Sequence, residues 1–258
     1  MNWENVYSDS RSPALRRCGD AACDRAAPRT TKHRAPVLRR DPGRAAHSTS
    51  AARHRRTAGR SPRAPHRSGS IESMATDKER MLRGDLYRGN DPELVAERRA
   101  CHALTARYND TDPDAETERQ EILGKLLGAC GADTVIMPPF RCDYGYPTRI
   151  GSNTFLNYDT VILDCAPVTI GNDVAIGPRA QILTPLHPME DHELRRAGWE
   201  SAAPIAIGDN TWLGGGVIVC AGVTIGENSV IGAGSVVTRD IPSRVFAAGN
   251  PCRVIRDL

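Results

Sequence analysis

The sequence predicts a mainly β chain: a triangular solenoid of short parallel strands, capped by helices at its N-terminal end and preceded by a basic tail. Three observations carry this. From Ile150 to Val237 an aliphatic residue returns at every sixth position, with one slip and one long break. Between Thr76 and Leu127 the apolar residues follow helical spacing instead. Before Met74 neither pattern is present and the charge changes sign: residues 1–73 hold 16 Lys and Arg against 6 Asp and Glu, whereas residues 74–258 hold 18 against 25.

The tail, residues 1–73, is rich in Arg, Ala, Pro and Ser and has few side chains able to form a core. Such a segment buries too little apolar area to offset its ordering entropy, so it is expected to be disordered. An arginine-rich arm for nucleic acid would interleave aromatic residues with the basic ones, and none do so here. A transit peptide would lack acids and carry an amphipathic stripe, and the tail fits neither condition. The remaining reading is a mis-assigned start, with Met74 of MATDKERMLRGDLYRG as the natural first residue.

Residues 74–131 read as a helical cap. Thr76 and Glu79 have the spacing of a capping box, with Met81, Leu82 and Leu86 following. Asp91-Pro92 is an N-cap followed by proline at the first helical position, and Leu94, Leu104 and Tyr108 supply its apolar face. Asp112-Pro113 repeats that start signal before Ile122, Leu123, Leu126 and Leu127, and Gly128 or Gly131 is expected to end the helix. A cap this small needs a partner surface.

Residues 132–258 read as the solenoid. Ile150, Leu156, Ile162 and Val168 are six apart, then Ile170, Ile176 and Ile182, then Ile207, Leu213, Val219, Ile225, Ile231 and Val237. Glycine often follows the aliphatic, and a small or branched residue such as Thr154, Thr211 or Ser229 stands two places before the next. A period of six excludes an ordinary helix or strand. Three hexads close one triangular coil whose aliphatics point inward and stack, and glycine permits the tight corner. The fold expected is a left-handed parallel β-helix, an exception to the right-handed crossover rule.

The break runs from Leu183 to Pro204, LTPLHPMEDHELRRAGWESAAP. A filled solenoid must extrude such an insertion as a loop, and loops on rigid scaffolds carry chemistry. This one holds His187 and His192 with Glu190, Asp191, Glu193 and Glu200 close by. A histidine there can act as a general base near neutral pH. A zinc site of the γ-class carbonic anhydrase kind uses the same five-residue spacing but needs three imidazoles. After Met74 the remaining histidine is His102, in the cap, so no metal is expected.

At this point the chain resembles a known family. FRCDYGYPTRIGSNTFLNYDTVILD, the HP dipeptide, HELRRAG and IGDNTWLGGGVIVCAGVTIGENSVIGAGSVVTRDIPSRVFAAGNPCRVIR are similar to the maltose and galactoside O-acetyltransferases and their nodulation-protein relative. MATDKERMLRGDLYRGNDPELVAERRACHALTARYN looks like the cap of the maltose enzymes. The resemblance implies a homotrimer with acetyl-CoA lying between adjacent solenoids and a small sugar as acceptor.

It also implies residue roles. His187 matches the catalytic histidine, deprotonating the acceptor hydroxyl. Asn157 matches an asparagine that holds the sugar; Asp143 and Asp164 lie in the same acceptor strip, suited to sugar hydroxyls. Gly215, in Gly214-Gly215-Gly216, matches the backbone amide facing the thioester, where the family often has serine. Ala233, Thr238 and Arg239 match positions along the pantetheine and nucleotide groove, and Arg253 and Arg256 match arginines near the CoA phosphates. Trp212 is expected at an intersubunit face.

No run of 18 apolar residues exists and no signal peptide opens Met1 or Met74. The cysteines form no CxxC pair and read as free thiols, so a cytoplasmic enzyme with no nucleic-acid or membrane partner is expected. The loop mixes features of galactoside and maltose enzymes, which leaves the sugar open. A hexapeptide acetyltransferase for another small acceptor, an amino acid or an antibiotic, is the alternative; a γ-carbonic-anhydrase-like protein is a more distant one.

Overall fold

A computed structural model describes residues 75–258. The tail, residues 1–73, lies outside the described residues. Helix α1 (Asp77–Arg83) starts on the expected capping box: the Glu79 N–H donates to Thr76 Oγ1 and the Thr76 N–H to Glu79 Oε2. Helix α2 (Pro92–Asn109) starts on Asp91, whose Oδ1 accepts from the Glu93 and Leu94 N–H groups. The third start signal behaves differently. Asp112 closes a turn, accepting from Asp114 N–H, and helix α3 (Glu116–Leu126) begins after Ala115 without a side-chain cap. It stops at Leu126, before both expected glycines.

The hexads form three parallel sheets, one per face of a prism. The first face stacks Ala129–Cys130, Thr148–Ile150, Val168–Ile170, Ile205–Ile207 and Thr224–Ile225. The second stacks Val135–Ile136, Phe155–Leu156, Ala175–Ile176, Trp212–Leu213, Val230–Ile231 and Val245–Ala248, closed by the antiparallel Arg253–Asp257. The third stacks Phe140–Cys142, Thr160–Leu163, Gln181–Leu183, Ile218–Val219 and Val236–Val237. The chain therefore turns three corners per coil.

Register explains the period. Leu156 pairs with Ile176, Ile176 with Leu213 and Leu213 with Ile231, and all are buried. Each such side chain contributes roughly 1.5–3 kcal/mol on leaving water. The two-residue slip between Val168 and Ile170 is a strand with both ends turned inward and Thr169 outward. Where the small residue before the aliphatic carries a hydroxyl, it joins consecutive coils: Thr154 Oγ1 donates to Gly171 O at 2.9 Å and Ser229 Oγ to Pro242 O at 2.9 Å.

The glycine after the aliphatic keeps the coils in contact. A Cβ on Gly177 would stand 2.5 Å from Gly215 N, and one on Gly208 2.5 Å from Glu227 N. Left-handed backbone falls elsewhere, on Asn153, Asp173, Asn210 and Asn228 at the corner between the first and second faces. Asx residues tolerate that conformation best among residues with side chains. Helix α2 is bolted to the first coil: Asn109 exchanges two hydrogen bonds with the Phe140 backbone, and the Tyr108 hydroxyl donates to Ile136 O.

Candidate active site at the loop-bearing corner

The insertion leaves from the corner between the third and first faces. Pro185–Leu186 pairs antiparallel with Trp199–Ala202, which pairs antiparallel with Tyr87–Arg88 of the cap. The loop is thus a hairpin in a three-stranded sheet with its own cap. Helix α4 (His192–Arg196) sits at its tip, capped by Asp191, whose Oδ1 accepts from Leu194 N–H. His187 follows the outgoing strand; its side chain is 59% exposed. The Glu200 carboxylate on the returning strand is 18% exposed and lies 3.9 Å from His187 Nδ1 through Oε2. His192 lies on α4 with Glu193, itself exposed, 3.9 Å away.

Beside this hairpin, Asp164 organises the solenoid corner. Its carboxylate is fully buried and accepts from the N–H groups of Asp143, Tyr144 and Gly145 and from Thr148 Oγ1 at 2.8–3.0 Å. Burial raises its pKa, while the donations from Tyr144, Thr148 and Gly145 oppose that rise. In this chain the Asp164 oxygens hold the turn that presents Asp143. Gly145 is required in that turn, since its φ is +77° and a Cβ would meet Leu126 O at 2.2 Å.

Asp143 itself is half-buried and accepts from the Cys165 thiol at 3.7 Å. Burial pushes its carboxyl above the usual range, and the nearby Arg98 guanidinium pulls it back. Arg98 donates to the Tyr144 hydroxyl at 2.6 Å and to Gly89 O at 2.5 Å, tying α2 to the corner and to the cap strand. Burial pushes the Cys165 thiol up to about 12, so it is neutral at ordinary pH and unsuited to nucleophilic attack. Tyr87, wholly buried beside Cys165, closes the floor.

The other predicted residues lie on different edges. Asn157, Gly215 and Ala233 share the corner between the second and third faces. They lie along one ladder, with the Gly177 coil between those of Asn157 and Gly215: Asn157 N–H donates to Ile176 O, Gly177 N–H to Leu213 O and Gly214 N–H to Ile231 O. A Cβ on Gly214 would lie 2.6 Å from Ala233 N, so Gly214-Gly215 and Ala233 abut. Gly215 O accepts from Gly234 N–H, and the Gly215 N–H makes no bond within the described residues. Thr238 and Arg239 are exposed after the last strand of the third face. Arg253 and Arg256 are exposed on the C-terminal strand, each giving one guanidinium donor to a neighbouring backbone carbonyl.

One chain therefore brings together His187, Glu200 and Asp143, and separately Gly215 and Ala233. Sequence reasoning named Glu200 only as a nearby acid and gave no role to Tyr87, Arg98 or Gly89. Tyr87 meets Glu200 through strand pairing across more than a hundred residues, and Arg98 reaches the Tyr144 hydroxyl on the solenoid, contacts that no local pattern carries.

Two family models match: the maltose acetyltransferase hexapeptide capping motif over residues 80–131, and the bacterial transferase hexapeptide (six repeats) over residues 204–239. Nodulation protein L of Rhizobium meliloti (strain 1021) is 49% identical over 179 residues, covering 69% of this chain and 97% of that protein. The chain belongs to the maltose and galactoside O-acetyltransferase family of hexapeptide-repeat enzymes. Among solved structures, a maltose O-acetyltransferase from Clostridium difficile 630 is 48% identical with a TM-score of 0.70, covering 71% of this chain and 98% of that one. A galactoside acetyltransferase in complex with coenzyme A is 39% identical with a TM-score of 0.68, covering 71% and 91%. As an acetyltransferase of this family, the chain carries its described cysteines, Cys101, Cys130, Cys142, Cys165, Cys220 and Cys252, as free thiols. None of its described helices is long and apolar enough to cross a membrane.

Proposed function

We propose that the chain transfers an acetyl group from acetyl-CoA to a hydroxyl of a small sugar, with His187 as general base. The observation that carries this reading is the His187–Glu200 pair, an exposed imidazole backed by a shielded carboxylate at the mouth of the one long insertion. His187 Nε2 takes the acceptor proton as the hydroxyl oxygen attacks the thioester carbon, and Glu200 stabilises the imidazolium that forms. The Gly215 N–H, unclaimed by the solenoid, donates to the oxygen that becomes negative. Collapse breaks the carbon–sulfur bond, and the imidazolium returns its proton to the departing sulfur. Asp143 and Asn157 hold the sugar hydroxyls. Arg253 and Arg256 offer their free guanidinium donors to the CoA phosphates, with Ala233, Thr238 and Arg239 along the groove between. The solved coenzyme A complex of the galactoside relative supports acetyl-CoA as donor.

His187 and Asp143 stand on one corner, whereas Asn157, Gly215 and Ala233 stand on another with the third face between them. A site using both sets is naturally shared by two copies, which favours the trimer. Along the second face the outward residues Val135, Phe155, Ala175, Trp212, Val230 and Phe246 form an apolar ladder in register, with Trp212 56% exposed. Such a stripe suits burial against another copy.

The direct test is thiol release from acetyl-CoA with maltose, glucose and a galactoside, for the wild type and His187→Ala. Release with at least one sugar is expected, and the variant should lose 10²-fold or more in kcat, roughly the contribution of a positioned base. No stimulation by any sugar, or full activity in His187→Ala, overturns the reading.

A further inference from the structure

Gly89 directly follows the cap strand Tyr87–Arg88. A Cβ built on it would stand 1.9 Å from Glu200 Oε1 and 2.8 Å from Glu200 Cδ. The Glu200 carboxylate therefore occupies the volume that any side chain at position 89 would need. Neither backbone can retreat. Tyr87 pairs directly with Glu200 in the cap–loop sheet, and the Gly89 carbonyl accepts from Arg98. The φ of Gly89 is outside the left-handed region, so glycine is not required there by conformation. What it supplies is space.

We infer that Gly89 is a positioning residue for catalysis: by lacking a side chain it lets the Glu200 carboxylate lie over the cap strand, beside His187 Nδ1. The inference rests on His187 acting as the base. Around that carboxylate stand Tyr87 from the cap strand, Asp143 and Cys165 from the solenoid corner, and His187 from the same hairpin. Of these, His187 is the group that Glu200 can pair with as an ion. From 3.9 Å, the carboxylate favours a proton on Nδ1 by its charge and so leaves Nε2 free to accept one. Alanine at position 89 collides with the flexible end of Glu200 and not with backbone, so the carboxylate must swing off its seat while the fold is retained.

The test uses the full chain and two readouts. Imidazole nitrogen chemical shifts, with the His187 signals assigned through His187→Ala, report the tautomer without any acceptor. The wild type is expected to carry its proton on Nδ1, and Gly89→Ala and Glu200→Gln should both move population towards the Nε2–H form. Turnover of acetyl-CoA with the most active sugar of the panel should fall about tenfold or more in both variants, a part of the roughly 10²–10⁴-fold that a positioned base contributes. The KM for acetyl-CoA should be unchanged. The double variant should be no worse than Glu200→Gln alone, because both changes remove one interaction. If Gly89→Ala destabilises the cap, Gly89→Ala with Glu200→Ala removes the collision, and recovery of the thermal midpoint identifies that collision as the cause. Wild-type nitrogen shifts in Gly89→Ala, or losses that add in the double variant, overturn the inference. Full activity in His187→Ala instead removes the base reading itself, whatever the tautomer result.

Discussion

Cys165 and Asp143 share a hydrogen bond at the loop-bearing corner, and which of them carries the proton decides what that corner can do. With the thiol held up to about 12, attack by sulfur is unavailable near neutrality. Iodoacetamide at pH 8 is expected to leave Cys165 unmodified in the native chain and to modify it in urea, as read by mass spectrometry. The same raised value has a sign for stability. A group that binds its proton more tightly when folded stabilises the fold below its unfolded pKa, and that contribution is lost as pH climbs from 9.0 towards about 12. Asp164 works at the same scale by holding four donors. Asp164→Ala should cost about 3 kcal/mol or more in a denaturant titration, since each buried donor left unpaired costs about 1–3 kcal/mol.

At the scale of elements, the corner glycines tie stability to catalysis. Gly177→Ala places a methyl against the backbone of Gly215. Overpacking of this kind costs typically 1–3 kcal/mol, and the displaced amide is the proposed oxyanion donor. Loss of thermal stability and of kcat together is therefore expected, with little change in KM for the sugar. The hexads were legible because each inward aliphatic repeats one physical requirement, and two of three helix starts were legible because Thr76 and Asp91 bond their own neighbours. Asp112 carried the same signal and made a turn, since an Asx residue before proline serves either end equally. Glu200 and Gly89 were not legible as partners: their relation arises from strand pairing between cap and loop, which depends on the fold as a whole.

For the whole molecule, the match to Nodulation protein L takes in 179 residues. The chain covers 97% of Nodulation protein L while that match spans 69% of its own length. A chain starting at Met74 is expected to keep full turnover in the thiol-release assay. The apolar ladder of the second face predicts a particle of three 28.0 kDa chains by light scattering. Trp212→Glu should reduce that mass and, with it, the activity of the proposed shared site.

The strand that stitches the insertion to the cap also bears on redesign. Because Trp199–Ala202 lies between Pro185–Leu186 and Tyr87–Arg88, the returning strand of the hairpin relies on the cap for one of its two paired edges. Grafting only the insertion from a cousin with another substrate preference would leave a row of amides unmatched and a glutamate without its seat. The smallest exchangeable cassette is the hairpin together with the cap segment that receives it, while the prism beneath can serve every donor of such parts as a common chassis.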